Sequence, residues 1–259
     1  MDFHHVRLGQ GKPLVLFHGL GSTWRSWQPV LDGLSAQRAV IALDLPGFGE
    51  TRPLKGPVSI ATLADASTTF LEAQGLQGAD VVGSSMGARL VLELARRGVV
   101  GSTVSLDPGG FWRGWEKAYF QSSIAASIRL VRALQPVMPT ISRSAVGRTL
   151  LLAQLSAHPS RLSPDLVLTE MRSFAASPSF DELLRSLVSG PEQQGLPRGS
   201  GPPITIGWGR KDRVCLPRQA QRALERFPDA KLHWFEDCGH FPMWDKPEET
   251  VQVILNNTS

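Results

Sequence analysis

Ser85, His240 and Asp212 carry the side chains that together turn a hydroxyl group into a nucleophile. Ser85 sits in Gly83-Ser84-Ser85-Met86-Gly87, a G-x-S-x-G pattern between a β-rich run and a helical run. That context suits a sharp strand-to-helix turn in which the serine backbone is strained and its Oγ projects outward. Side chains two residues either side would collide with the neighbouring elements, and glycine at 83 and 87 removes them. Ala88 keeps the next position small. The pattern alone is weak, and it gains weight from its partners.

A serine hydroxyl needs a base that titrates near neutral pH, and histidine fits. Of six histidines, His4 and His5 are N-terminal, His158 lies beside a proline and His233 falls inside a strand pattern. His240, in Asp237-Cys238-Gly239-His240-Phe241-Pro242, follows the last strand pattern and is the expected base. A carboxylate must then hold the imidazole tautomer. Asp212, in Gly207-Trp208-Gly209-Arg210-Lys211-Asp212, follows the preceding strand pattern and is favoured. Asp107, at the end of STVSLDPGG, stays open as an alternative.

A developing oxyanion requires backbone donors. The Met86 N–H, at a helix N-terminus, is one candidate. The Leu20 N–H, in His18-Gly19-Leu20-Gly21, is the other. His18 itself is expected to fix its loop by hydrogen bonding. Trp24, Trp27, Phe111, Trp112, Trp115 and Phe241 are candidates for an apolar substrate pocket, with ordinary aromatic packing as the competing role. No metal, nucleotide or redox cofactor is expected, because this chemistry needs none and the chain lacks both a G-x-G-x-x-G fingerprint and a phosphate-binding loop.

Positioning such a set calls for strands that all end at one edge. PLVLFHG (13–19), AVIALDLPG (39–47), ADVVGSS (79–85), STVSLDPGG (102–110), ITIGWG (204–209) and AKLHWFEDCG (230–239) read as strands handing over to loops. Helical spacing at 60–75 and 85–98 alternates with them, the signature of a mostly parallel sheet flanked by helices. Ligands bind at the carboxyl edge of such sheets. Residues 111–190 differ: helical patterns at 119–134, 148–157 and 165–176 are separated by prolines, and SGPEQQGLPRGSGPP (189–203) reads as a returning linker. The expected organisation is an α/β core of 1–110 and 191–259 with a helical cap at 111–190.

With 259 residues and 42% hydrophobic content, the chain can bury one sizeable core. Its formal charge of +4 arises within 111–200 as dispersed arginines, which suits a solvated helical surface better than nucleic-acid binding. The N-terminus lacks an apolar signal core and no stretch is long enough to span a bilayer, so a soluble cytoplasmic protein is expected. Cys215 and Cys238 are too few for a disulfide framework, and two reduced thiols are expected.

In their order along the chain, His18-Gly19, Asp44-Leu45-Pro46-Gly47-Phe48-Gly49, Gly83 to Gly87, Gly207 to Asp212 and Gly239-His240 resemble the α/β-hydrolase superfamily with a helical cap. The resemblance implies a serine hydrolase of the esterase type acting on a small ester. Gly83 to Gly87, Gly209 to Arg213 and Cys238 to His240 are also similar to the carbon–carbon bond hydrolases of aromatic meta-cleavage pathways. Those enzymes commonly carry tryptophan after the catalytic histidine, where this chain has Phe241. A ligand receptor on the same fold is the alternative from another class.

Overall fold

The computed structural model describes residues 2–258. Seven strands form one sheet: β1 (His5–Leu8), β2 (Pro13–Phe17), β3 (Ala39–Leu43), β4 (Asp80–Ser84), β5 (Thr103–Leu106), β6 (Ile204–Gly209) and β7 (Lys231–Phe235). Their order is β1-β3-β2-β4-β5-β6-β7. Every pairing is parallel except that of β1 with β3. The central strands are short apolar runs buried on both faces, as Leu14 to Phe17 and Asp80 to Ser84 are. Burial on both faces is what helices packed above and below a parallel sheet impose.

The helices that connect the first strands are α1 (Gln28–Ser35), α2 (Ile60–Ala73) and α3 (Met86–Arg96). α2 starts with a capping box, in which the Ser59 side chain accepts from the Thr62 N–H while the Thr62 side chain accepts from the Ser59 N–H. α3 is buried continuously from Met86 to Ala95, so the helix after Ser85 lies inside the molecule. Between β5 and β6 come α4 (Trp115–Ala133), α5 (Met138–Arg143), α6 (Ala145–Leu152), α7 (Pro164–Ala176) and α8 (Phe180–Ser189). No strand interrupts this insertion. α9 (Gln219–Arg226) joins β6 to β7, and α10 (Pro242–Asp245) and α11 (Pro247–Asn257) follow the sheet.

Two features differ from the sequence reading. β1 is an additional strand, four residues long at the sheet edge, half-exposed and therefore without a strong apolar signature. α8 is a separate amphipathic helix, burying Phe180, Leu183, Leu184 and Leu187. Among the described residues, no helix is long and apolar enough to cross a membrane.

Candidate active site

Ser85 terminates β4 and precedes α3 with φ 57° and ψ −113°, a backbone conformation that costs a non-glycine residue about 1–3 kcal/mol. Its N–H donates to the Leu106 carbonyl at 2.9 Å, which ties the turn to β5. The flanking glycines are sterically required. A Cβ on Gly83 would lie 2.2 Å from the Gly87 oxygen, and one on Gly87 would lie 2.3 Å from the Phe17 oxygen.

The Ser85 hydroxyl donates to His240 Nε2 at 2.8 Å, and His240 Nδ1–H donates to Asp212 Oδ2 at 2.8 Å. The other Asp212 oxygen accepts the Val214 and Cys215 N–H groups at 2.7 and 3.1 Å. Asp212 is thus an acceptor held from both sides, oriented to keep Nε2 free to take a proton. Both His240 and Asp212 are almost fully buried.

Asp107 lies close by without touching the imidazole. It occupies φ 50°, and its Oδ1 accepts the Gly209 N–H at 2.8 Å. Burial, and then the charge of Asp212, push its carboxyl well above the usual range, which favours its neutral form. The structure therefore brings Asp212, not Asp107, to His240.

Gly19 lies against the nucleophile: a Cβ there would be 3.3 Å from the Ser85 Cβ. The loop it begins is closed by a Ser22 N–H to Gly19 carbonyl bond of 3.2 Å. The Leu20 and Met86 N–H groups have no protein acceptor among the described residues, and both residues line the cleft beside Ser85. His18 fixes this loop from below. Its Nδ1–H donates to the Gly19 carbonyl at 2.7 Å and its Nε2 accepts the Leu45 N–H at 2.9 Å. Burial holds its pKa below the usual value, which suits a neutral imidazole that donates and accepts at once.

The insertion grips both loops of the site. On one side, Ser173 of α7 and Ser177, which caps its C-terminus, donate to the Gly21 carbonyl at 2.8 and 3.1 Å, and Glu170 accepts from Ser22. On the other, the His240 N–H donates to the Leu155 carbonyl at 2.9 Å. Asp245 joins the same edge, accepting the Gly239 and Ala157 N–H groups at 2.7 and 2.8 Å and the Ser156 hydroxyl. Gly239 permits this approach, since a Cβ there would lie 2.9 Å from the Ala157 nitrogen.

Between insertion and sheet edge lies a cleft of about 940 Å³, its open mouth included, floored by Ser85 and His240. Of the six aromatic candidates, Trp112 and Phe241 line it. Four other aromatic candidates lie elsewhere. Trp27 is fully buried in the core. Trp24 lines a separate surface groove beside Asp44 and Arg172. Phe111 packs edge-on against Phe227 with centroids 6.4 Å apart. Trp115 is 60% exposed beneath the Arg218 guanidinium. Their places in the wall are taken by Phe120, Phe174 and Phe180.

Asp212, Cys215 and His240 have potential donor atoms within 4.8 Å of one another. Both Asp212 oxygens and both imidazole nitrogens are already hydrogen-bonded. Burial also holds the Cys215 thiol protonated. That chemistry belongs to a hydrogen-bonded relay rather than a metal site.

A strained serine turn, a histidine and an aspartate at the carboxyl edge of a doubly covered parallel sheet define the class of α/β hydrolases. The alpha/beta hydrolase family model matches residues 14–253, and the chain belongs to that family. It is 30% identical over 270 residues to a 2-hydroxymuconate semialdehyde hydrolase of Pseudomonas putida, covering 96% of this chain and 87% of that one. It is 29% identical over 256 residues to a dihydrolipoyllysine-residue acetyltransferase component of the acetoin cleaving system of Cupriavidus necator. That match takes in 95% of this chain but only 63% of the relative's length. A thermophilic esterase from Thermogutta terrifontis has a similar structure, with TM-score 0.76, 20% identity and coverage of 98% of this chain and 92% of that one.

Proposed function

We propose that the protein hydrolyses carboxylic esters of small, largely apolar substrates through an acyl-enzyme. The observation that carries this reading is the continuous Ser85–His240–Asp212 relay, 2.8 Å at each step, opening on an apolar cleft. Ser85 Oγ attacks the ester carbonyl while His240 Nε2 takes its proton. The Leu20 and Met86 N–H groups stabilise the oxyanion, and His240 returns the proton to the departing alcohol. Water, deprotonated by His240, then attacks the acyl-enzyme. The acid is released and Ser85 regains its proton. Every step uses groups of this chain and water.

A second reading, hydrolysis of a carbon–carbon bond in a meta-cleavage-type diketone, is supported by the 30% identity to the semialdehyde hydrolase. The two are separated by a panel of p-nitrophenyl esters graded by acyl and alcohol size, run beside a ring-fission dienoate followed by its absorbance. Multiple-turnover ester hydrolysis supports the first reading, and loss of dienoate absorbance with inert esters supports the second. Tight ligand binding without turnover on either would instead indicate a receptor on this fold.

A further inference from the structure

Arg89 lies one helical turn beyond Ser85 on α3, and its N–H donates to the Ser85 carbonyl at 3.1 Å. The side chain forms part of the cleft wall, yet only 4% of the residue is exposed. Nη1 donates to the Leu187 carbonyl at 3.4 Å and Nη2 to the Pro191 carbonyl at 2.5 Å. Both partners are neutral. Nearby carboxylates are engaged elsewhere, Glu93 with Arg96 and Arg97 at 2.8 Å and Glu192 with Arg226 at 3.5 Å. Arg89 Nε is buried with no partner. Burial lowers the guanidinium pKa to about 10, with nearby negative groups partly opposing the shift, so it remains charged at neutral pH.

A second donor stands beside it. Trp112 also lines the cleft, and its indole N–H is buried without an acceptor. The guanidinium carbon lies over the Trp112 ring, 5.7 Å from its centre, so the two unpartnered donors belong to neighbouring side chains of one wall. The other polar cleft residues are occupied: Ser127 donates to Gln154, which donates to Ser123. A buried cation without an ion partner is unfavourable unless something pairs with it. Two unsatisfied donors, one of them cationic, call for an anionic acceptor.

We propose that the substrate carries a carboxylate in addition to the scissile ester, and that Arg89, assisted by Trp112, is its specificity-determining partner. The proposal rests on the ester reading above for its reaction, but not for its binding. The apolar wall holds the carbon skeleton, and one helical turn, a rise of about 6 Å, separates the reacting serine from the charge-recognising arginine along α3.

The test uses matched ester pairs: the mono-p-nitrophenyl ester of adipate with its methyl-capped analogue, and the hexanoate ester of 4-hydroxybenzoate with its methyl-capped analogue. The wild type is expected to favour the anionic member of at least one pair in kcat/KM. Arg89→Gln, which removes the charge and shortens the side chain, is expected to reduce the anionic-to-neutral ratio by about 30-fold, while Arg89→Lys retains part of the preference. Equal rates within both pairs for the wild type, or an equal fall for both members in Arg89→Gln, would overturn the proposal. If no ester turns over, the Ser85→Ala protein is titrated calorimetrically with monomethyl adipate. Binding that weakens about 30-fold in Ser85→Ala/Arg89→Gln upholds Arg89 while the ester reading fails. No difference, or no binding, overturns the arginine's role.

Discussion

The Ser22 hydroxyl donates to Glu170 Oε2 at 2.6 Å, joining the loop that carries the candidate oxyanion amide of Leu20 to helix α7. Glu170 is fully buried, and its Oε1 has no partner. Burial raises its pKa from 4.5 to about 8; the Ser22 bond lowers it and the Asp44 charge raises it.

That shift has a defined thermodynamic sign. In the unfolded chain Glu170 loses its proton near pH 4.5, whereas the folded protein keeps it to about 8. Its contribution to stability is fully present below pH 4.5 and is lost as pH rises to about 8, at up to about 1.4 kcal/mol per pH unit. Thermal melts at pH 5, 6.5 and 8 should show this slope in the wild type and a flatter one in Glu170→Gln. An identical slope in both proteins would assign the titration to another group.

Replacing the nucleophile separates chemistry from folding. Ser85→Ala should remove measurable ester turnover while leaving the circular dichroism spectrum and melting temperature close to wild type, since among the described residues Ser85 Oγ bonds only to His240. Retained turnover would exclude Ser85 as nucleophile.

The two aspartates should respond unequally. Asp212→Asn leaves His240 with an amide where it needs a carboxylate, and kcat should fall by about 10⁴-fold. Asp107 does not bond the imidazole, its burial favours the neutral form, and asparagine tolerates its positive φ, so Asp107→Asn should cost less than about 10-fold. Single-turnover acylation rates measure both, and equal losses would undo the assignment of the acid.

Asp245 holds the histidine loop against the insertion through three donors. Asp245→Ala strands the Gly239 and Ala157 N–H groups and should cost about 2–4 kcal/mol in urea melts. Gly239→Ala pushes a methyl group towards the Ala157 nitrogen and displaces His240, so kcat should drop about 10²-fold with a smaller change in KM. A change in KM alone would mean that this edge shapes the pocket without setting the histidine.

The parallel strands and the turn at Ser85 were legible because their causes are local. Short apolar runs ending in glycine or aspartate announce buried strands, and Gly83 and Gly87 stand where any Cβ would strike backbone. The spacing of Asp212 and His240 after β6 and β7 was legible for the same reason. β1 was not, since four half-exposed residues have no distinctive pattern and pair only because β3 offers a free edge. The cleft wall was the least legible part. Phe120, Phe174 and Phe180 reach it because α7 and α8 both pack on α4, whereas Trp27, equally aromatic and near the loop in sequence, turns into the core. Arg89 was hidden by its place in a helix that looked purely structural.

The grip of the insertion on Gly21 at one end and His240 at the other limits how modular this molecule can be. A helical insertion grafted from a relative would bring new walls for the cleft, but it would also replace the serines and carbonyls that hold the reactive loops in register. Exchanging it alone should therefore retune turnover along with selectivity. A productive graft must carry Gly19 to Ser22 and Asp237 to Asp245 as one cassette with the helices.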